Sequence, residues 1–342
     1  MKKEGLNLFI SISPSHISSF ESLISQNKEL NKSNILINAG NYVFNKKYWD
    51  DVIIGEKDLR APSDKIINKL SFQREKILFY KKLIFEINKK LPKSTDISLY
   101  YCNLEDILNN YYFFNFKKEA VKRRILVEDG ILNYYSYKIS KERYLTFLIK
   151  FIWCKILGVK YKLVFGQLSG IDRDEVSTQY VKYPKFAIFP EKALELKVEK
   201  LNYSPLKNVV LFVGQDVLED VLGHKNYNIE LVKILNKTQE ILPVDSKFVY
   251  KPHRNGNYKI AENRIKELIN VPFEILEDNT PVEKLIVDIR PSIIISFFST
   301  SLLNLKLNIN NSVKVYFMPL EVTDKRIIDL FEEVGIVNLT NL

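Results

Sequence analysis

Four short apolar runs rich in β-branched residues each end at a polar cluster in this 342-residue chain. Near-continuous apolar runs of this length are typical of parallel strands that are buried on both faces. In open α/β sheets the ligand binds outside the carboxyl ends of the strands, so the four clusters are the candidates for a functional site. They are Glu128-Asp129-Gly130 after Arg124–Val127, Gly214-Gln215-Asp216 after Val209–Val213, Lys251-Pro252-His253-Arg254 after Phe248–Tyr250, and Ser299-Thr300-Ser301 after Ile293–Phe298.

Helical and strand-like segments alternate along the chain, and its length favours two α/β domains. We predict a linker at about residues 191–204, because the surrounding segment contains Pro184, Pro190 and Pro205, mixed charge and no sustained period. The predicted domains are therefore 1–190, with the acidic cluster, and 205–342, with the other three clusters. The predicted fold class is α/β and GT-B-like, with two Rossmann-like domains whose parallel sheets face a central cleft.

Charge and cysteine content limit the classes of function. Lys and Arg number 51 against 41 Asp and Glu, and the net charge of +10 favours nucleotide phosphate, nucleic acid or an anionic membrane surface as partner. Cys102 and Cys154 indicate neither a disulfide framework nor a cysteine metal site. The run Leu6–Ile12 contains the predicted first strand rather than a signal peptide, and no apolar window reaches the ~18 residues of a transmembrane helix. We predict a cytoplasmic protein, and peripheral attachment to the inner face of the cell membrane stays open.

The acidic and basic clusters each have a structural and a chemical interpretation. Glu128-Asp129-Gly130 is either a capped turn or a pair of carboxylates, one of which could deprotonate an acceptor hydroxyl. Lys251, His253 and Arg254 form either a solvated basic turn or a phosphate site, in which a histidinium and a guanidinium donate to phosphate oxygens. The other two histidines, His16 and His224, have no such neighbours, and we predict that both are structural.

Two further segments have the features of helix starts. Ser299-Thr300-Ser301 predicts an N-cap hydroxyl, and the free backbone N–H groups of such a helix start also bind anions. Thr280-Pro281-Val282-Glu283 has Thr as the predicted N-cap, Pro at the first helical position and Glu at the third. A glutamate at that position can also accept hydrogen bonds from both hydroxyls of a ribose.

The remaining signals argue mainly against other chemistries. Asp172-Arg173-Asp174 matches the short acidic pattern of metal-dependent transferases, but two aspartates at this spacing are common by chance, and no metal site is predicted. The chain has no dinucleotide fingerprint, Walker loop, paired-cysteine zinc pattern or serine elbow. The aromatic-rich stretch Arg143–Tyr161 is predicted to be a core helix with lysines that reach solvent, and contact with an anionic membrane is the alternative.

Taken in chain order, five motifs resemble those of the bacterial sialyltransferases. The similarity is to glycosyltransferase family 52, the lipooligosaccharide sialyltransferases, with the bacterial polysialyltransferases as relatives. Members share an acidic-acidic-glycine motif, a His-Pro motif and a serine/threonine motif in that order, although here the proline precedes His253 and Arg254 follows it. The motifs are Glu128-Asp129-Gly130, Gly214-Gln215, Lys251-Pro252-His253, Pro281-Val282-Glu283 and Ser299-Thr300-Ser301-Leu302-Leu303-Asn304-Leu305.

The resemblance implies an inverting, metal-independent sialyltransferase. Such an enzyme would transfer sialic acid from CMP-sialic acid to a terminal sugar hydroxyl of a bacterial lipooligosaccharide or capsule. Galactose is the expected acceptor sugar, and CMP-sialic acid is a co-substrate rather than a cofactor. Asp129 would then be the general base, supported by Glu128 and Gly130, and His253 would donate to the CMP phosphate. The donor-binding residues implied are Gln215, Lys251, Arg254, Glu283 for the ribose, and Ser299, Thr300 and Ser301 for the phosphate.

Two alternatives stay open. One is a related transferase that uses another nucleotide sugar, CMP-Kdo or a UDP-hexose. The other is a nucleic-acid-binding protein, suggested by the net charge of +10 with 19 Tyr and 21 Phe, although the cations are scattered and no known nucleic-acid module occurs. We therefore predict a nucleotide-sugar donor and a glycan or glycolipid acceptor as partners, and no nucleic acid. A homodimer, the linkage formed, single or repeated addition, and the role of Asp172–Asp174 stay open.

Overall fold

The chain divides into two units, Met1–Lys197 and Val198–Leu342. The division falls inside the segment predicted as a linker, although Ala193–Glu195 near the start of that segment form an edge strand of the first sheet. The computed structural model describes residues 5–27, 32–55, 66–91, 96–116, 119–136, 141–201, 203–253, 256–277, 280–309, 311–321 and 323–342. Within these ranges, no helix combines the length and the hydropathy needed to cross a lipid bilayer.

The described part of the first unit forms a seven-stranded parallel sheet with the strand order β3-β2-β1-β4-β5-β6-β7. Helices connect most of the strands, as parallel pairing requires. In chain order the elements are β1 (Leu6–Ser11), α1 (Pro14–Gln26), β2 (Ser33–Asn38), β3 (Asp51–Ile54), α2 (Ile66–Lys90), β4 (Ile97–Tyr101), α3 (Ile107–Phe114), β5 (Val121–Val127), α4 (Lys141–Ile156), β6 (Val176–Val181) and β7 (Ala193–Glu195).

Strand β1 shows why the central runs read as continuously apolar. Its side chains alternate between two cores, because successive residues of a strand point to opposite faces of the sheet. Phe9 packs with Phe20 of α1 in one core, whereas Leu8 and Ile10 belong to the other core, which includes Ile77 of α2. Both faces of the strand are therefore buried, and both need apolar side chains.

The described part of the second unit forms a six-stranded parallel sheet with the strand order β10-β9-β8-β11-β12-β13. Two parallel sheets with connecting helices, one in each unit, confirm the predicted α/β class. The elements are β8 (Leu206–Val213), α5 (Leu218–Leu222), α6 (His224–Ile241), β9 (Lys247–Lys251), α7 (Lys259–Leu268), β10 (Phe273–Ile275), α8 (Val282–Ile289), β11 (Pro291–Phe297), α9 (Thr300–Asn308), β12 (Lys314–Met318), α10 (Lys325–Glu333) and β13 (Val337–Asn338).

The strand order reverses beside the first strand of each sheet. In the first unit the chain proceeds from β1 to β2 and β3 on one side, and β4 then pairs with the other side of β1. In the second unit β8 has β9 on one side and β11 on the other. Open α/β sheets bind ligands at the carboxyl edge of such a reversal, where diverging connections leave a crevice. Each sheet thus has one preferred place for a site.

Candidate active site

Three side chains meet at the carboxyl edge of the first sheet. His16 lies in the first turn of α1 after β1, Asn103 follows β4, and Asp129 follows β5. His16 Nε2 is 2.7 Å from Asp129 Oδ1, and Asn103 Nδ2 donates a hydrogen bond of 2.5 Å to Asp129 Oδ2. These strands are neighbours in the order β1-β4-β5, so the three residues, called here the Asp129 cluster, lie at the reversal of the strand order.

His16 is the buried member of the Asp129 cluster. Its side chain is 2% exposed, whereas that of Asp129 is 24% exposed. The backbone N–H of Ile12 donates to His16 Nδ1 at 3.4 Å, which leaves the proton on Nε2 for donation to Asp129. Sequence reasoning predicted a structural histidine here, and the structure brings that histidine into contact with the candidate base. The available signal was the position of His16 just after the first strand.

The cluster keeps Asp129 ionised. Burial disfavours the charged carboxylate, but the contact with His16, the hydrogen bond from Asn103 and the charge of Lys182 outweigh burial and hold the pKa of Asp129 below its ordinary value. Each carboxylate oxygen can accept a second hydrogen bond in addition to the one that fixes it. Asp129 is therefore oriented, partly accessible and able to accept from one more donor.

Glu128 has a supporting position rather than an exposed one. The residue is 3% exposed, and its carboxylate accepts hydrogen bonds from the Tyr134 hydroxyl and the Lys182 backbone N–H, the latter at 2.7 Å. The Lys182 ammonium is 2.8 Å from the other oxygen of Glu128. A buried carboxylate with this many partners is satisfied where it stands, so it anchors the end of β5 to the end of β6.

The turn after Asp129 is built from local contacts. Gly130 has φ 88° and ψ −147°, a backbone conformation that glycine adopts at little cost and that other residues avoid. The side-chain oxygen of Asn133 accepts a hydrogen bond of 3.0 Å from the Asp129 backbone N–H. The acidic motif thus forms a capped turn and also leaves the Asp129 carboxylate partly exposed, so the two interpretations of its sequence are compatible.

In the second unit, Gln215 and Ser299 meet across the reversal of the strand order. Gln215 follows β8, Ser299 follows β11, and Gln215 Nε2 donates to Ser299 Oγ at 2.9 Å. Ser299 is also the N-cap of α9, because its Oγ accepts from the Ser301 backbone N–H at 3.3 Å. The predicted N-cap is confirmed, and Thr300 is the first helical residue after it. Gln215 holds the cap in place from the neighbouring strand.

Asp216 is a buried residue of this edge to which the sequence analysis gave no role. It is 2% exposed, and its Oδ1 accepts hydrogen bonds from the hydroxyls of Tyr227 at 3.1 Å and Tyr250 at 2.5 Å. Its Oδ2 accepts from the His253 backbone N–H at 2.8 Å. A Cβ on Gly256 would lie 2.3 Å from the Asp216 Cβ, so glycine allows this close approach. Asp216 therefore fixes the loop that contains His253 against the end of β8.

The basic cluster lies at the end of β9. Lys251 is 6% exposed, and its ammonium donates to the Pro252 carbonyl oxygen at 3.3 Å. His253 is partly exposed in the loop that Asp216 anchors. Arg254, the third cation of the predicted cluster, lies outside the described residues. The described part of the cluster therefore consists of a buried ammonium and an accessible imidazole on one short loop.

The helix start at Glu283 differs from its prediction by one residue. Helix α8 begins at Val282 with Pro281 as the N-cap, and the Pro281 carbonyl oxygen accepts the Lys284 N–H at 2.9 Å. The predicted N-cap at Thr280 is therefore wrong, because Pro281 adopts the extended conformation (ψ 138°) of a residue just outside the helix. Asn304 of α9 donates to Glu283 Oε1 at 3.1 Å. This contact ties the glutamate to the helix that Ser299 caps.

The aspartates of the weak metal pattern lie elsewhere. Asp172 and Asp174 are exposed and line an open pocket of about 770 Å³ in the first unit, together with Arg173 and Phe165. Asp172 accepts a hydrogen bond from the Gln167 backbone N–H at 3.2 Å. Among the described residues, no group of three or more His, Cys, Asp or Glu side chains could hold a metal ion.

Comparisons with known proteins give a family for nearly the whole chain. The family model described as alpha-2,8-polysialyltransferase (POLYST) matches residues 7–317, which include the polar side chains at the carboxyl edges of both sheets. A search of curated protein sequences finds no match.

Solved structures of glycosyltransferases are similar at low identity. The sialyltransferase of Photobacterium damselae, residues 113–497 corresponding to the GT-B domain, has a TM-score of 0.48 and 12% identity, over 98% of this chain and 99% of that chain. The spinosyn forosaminyltransferase SpnP has a TM-score of 0.49 and 9% identity, over 100% of this chain and 87% of that one. Acinetobacter baumannii MurG has a TM-score of 0.43 and 9% identity, over 99% of this chain and 86% of that chain.

Proposed function

Because the chain belongs to the alpha-2,8-polysialyltransferase family, we propose that it transfers sialic acid from CMP-sialic acid to a sugar hydroxyl of a bacterial surface glycan, lipooligosaccharide or capsule. The main structural support is the Asp129 cluster, an ionised and oriented carboxylate at the strand-order reversal of the first sheet. The second support is the edge of the other sheet, where a capped helix start and His253 provide donors for a phosphate.

In this proposal Asp129 is the general base. Its accessible lone pairs accept the acceptor hydroxyl proton as the oxygen attacks the anomeric carbon of the donor, and His16 and Asn103 keep the carboxylate in place during the transfer. A carboxylate with a lowered pKa is a weak base, but the bond between sialic acid and phosphate is already breaking in the transition state. The attacking hydroxyl therefore becomes more acidic as the proton moves. A single displacement of this kind inverts the anomeric configuration.

The residues of the second unit would act on the leaving CMP. Breaking the donor bond places negative charge on the phosphate, so fixed donors around it stabilise the transition state more than the ground state. His253 would donate to a phosphate oxygen. Ser299, Thr300 and Ser301 would hold the others at the start of α9, the positive end of its helix dipole. Gln215 would position the Ser299 hydroxyl, Lys251 would add nearby positive charge, and Glu283 would accept from the ribose hydroxyls.

These donors can neutralise the phosphate without a divalent cation. We therefore expect CMP release from CMP-sialic acid to continue in excess EDTA, at a rate close to that in buffer with Mg²⁺. The assay should offer two acceptors, one ending in galactose and one ending in sialic acid, because the family description names an α2,8 linkage. Activity that appears only after a divalent cation is added would contradict the metal-independent mechanism, and activity on neither acceptor would contradict the transfer itself.

A related transferase that uses CMP-Kdo or a UDP-hexose is the rival within the same chemistry. Thermal unfolding with a nucleotide panel separates the candidates, because a ligand of the folded state at 100 times its Kd adds about 2.7 kcal/mol of stability. We expect CMP and CMP-sialic acid to raise the Tm by several degrees, and UDP and UMP at the same concentration to change it little. A larger rise with UDP-sugars would reject the CMP donor, and a rise with CMP but not with CMP-sialic acid would favour CMP-Kdo.

A further inference from the structure

Helix α4 exposes an apolar side. Four of its aliphatic residues follow each other at spacings of four, three and four, so they share one side of the helix. The opposite side contains Phe147 and Cys154, which are buried in the first unit. The prediction of a core helix is therefore correct for one side and wrong for the other, because α4 is an outer layer on the sheet. The exposed residues, called here the apolar stripe, are Leu145, Ile149, Ile152 and Ile156, which are 56%, 37%, 46% and 68% exposed.

The exposed apolar surface extends beyond this one helix. The rings of Tyr144 and Phe165 lie 5.9 Å apart between centroids and are 37% and 60% exposed, so they continue the surface past the side of α4. On α2, Leu78 and Phe85 are 41% and 58% exposed. Helices α2 and α4 contact each other, and both contribute to the same core on one face of the sheet. Scattered single apolar residues on a surface are ordinary, but a set on two adjacent helices indicates an interaction surface.

Cations surround the apolar residues. The Lys81 ammonium of α2 lies close to Gly158, just after the end of α4. It is 3.5 Å from the position that a Cβ on Gly158 would occupy. Among the described side chains of α2, Glu75 is the one exposed carboxylate. Lys150 of α4 faces inward and lies 3.6 Å from Glu105, so it is not part of this set. The exposed cations are Arg74, Lys81, Lys82, Lys89 and Lys90 on α2, and Lys141, Arg143, Lys155, Lys160 and Lys162 on or just after α4. Of these, Arg143 is paired with Glu105 at 2.8 Å.

We propose that the outer sides of α2 and α4 attach the protein to an anionic lipid bilayer. Apolar side chains on a basic helix surface enter the boundary between headgroups and acyl chains, while the flanking lysines pair with anionic headgroups. The carboxylates Asp172, Asp174 and Glu175, which line the pocket beside Phe165, limit the surface on that side. A symmetric dimer through this surface would set its cations against those of the second copy, so charge favours the bilayer over self-association. This inference does not depend on the reaction that the protein catalyses.

Vesicle sedimentation of the full chain tests the proposal. We expect binding to vesicles of phosphatidylcholine mixed with phosphatidylglycerol, weak binding to phosphatidylcholine alone, and loss of binding at high salt. The double variants Ile149→Ser/Ile152→Ser and Lys81→Glu/Lys82→Glu should each weaken partitioning by roughly tenfold or more. Because all four residues are exposed, the variants should keep the wild-type unfolding temperature.

Matched control variants come from exposed positions of the second unit. Val221→Ser/Val244→Ser removes two valines that are 73% and 87% exposed, and Lys225→Glu/Lys259→Glu reverses two exposed charges on α6 and α7. Both controls should bind vesicles like the wild type. Absence of binding to anionic vesicles, or equal loss in the controls, would overturn the proposal. A dimer in analytical ultracentrifugation that Ile149→Ser/Ile152→Ser dissociates, without vesicle binding by the wild type, would assign the surface to self-association and overturn it as well.

Discussion

Replacing Asp129 with asparagine is expected to lower kcat/KM for sialic acid transfer by about 10²- to 10⁴-fold, the usual contribution of a positioned general base. The amide has the size of the carboxylate but cannot take up the acceptor proton. It also cannot accept from both His16 and Asn103 as the carboxylate does, so one of these two hydrogen bonds is lost. CMP release with CMP-sialic acid and each acceptor gives the rate, and chemical denaturation gives the free energy of unfolding.

Asp174→Asn is the matched control for this variant. Asp174 is an exposed aspartate of the same unit that lines the pocket beside Phe165, so its change to asparagine should leave kcat/KM within a factor of about two. If the Asp129→Asn enzyme is folded and as active as the Asp174→Asn enzyme, Asp129 is not the general base. A loss of activity that follows a loss of folded protein would instead show a structural role.

The pH dependence separates the role of His16 from that of Asp129. The base must be ionised, and the cluster holds the pKa of Asp129 below its ordinary value, so we expect no loss of kcat/KM from this group as the pH falls until it is below about 4. In His16→Gln the lowering effect of the histidine is removed while burial remains, so the pKa of Asp129 rises. The acidic limb of the profile should then move to higher pH. A profile with an unchanged acidic limb would mean that His16 does not act through Asp129.

Replacing His253 with alanine is expected to lower kcat by about 10²- to 10³-fold, because the leaving phosphate loses a preorganised donor. The loop itself should keep its position, since Asp216 holds the His253 backbone N–H and that hydrogen bond survives the substitution. His224→Ala is the control in the same unit: the His224 side chain is 74% exposed and contacts Glu219 at 3.0 Å. Exposed pairs of this kind contribute little, so the control should behave as the wild type.

Donors with different leaving groups sharpen this test. If His253 stabilises the departing phosphate, a donor with a better leaving group should be less sensitive to His253→Ala than CMP-sialic acid is. Equal rates for His253→Ala and His224→Ala would reject the proposed role. An increase in KM for the donor with unchanged kcat would assign His253 to ground-state binding.

The strands next to the site could be predicted from local sequence. Buried parallel strands need apolar side chains on both faces, so β5, β8, β9 and β11 each contain a nearly continuous apolar run. The strands β3, β6, β7, β10 and β13 were not predicted. Four of them lie at sheet edges, where fewer apolar residues are needed, and β6 is an interior strand with the polar residues Ser177, Thr178 and Gln179 at its centre. The N-cap at Ser299 was also local, since the hydroxyl and the N–H that it accepts are two residues apart.

The partners of the site residues could not be predicted from local sequence. His16, Asn103 and Asp129 are far apart along the chain and meet only because β1, β4 and β5 are adjacent in the sheet. The contact between Gln215 and Ser299 depends in the same way on the pairing of β8 with β11. Strand order is set by the packing of the whole unit, and no short segment contains it.

The sequence by itself determined the class of fold, the four polar clusters at the strand ends and the order of motifs that indicates a sialyltransferase. Tertiary structure decided which side chains contact those clusters, and which side of α4 is exposed. Apolar residues run most of the way around that helix, so its composition could not distinguish a core helix from a surface one. The sheet packs against one side of α4 only, and the apolar stripe on the other side is left exposed.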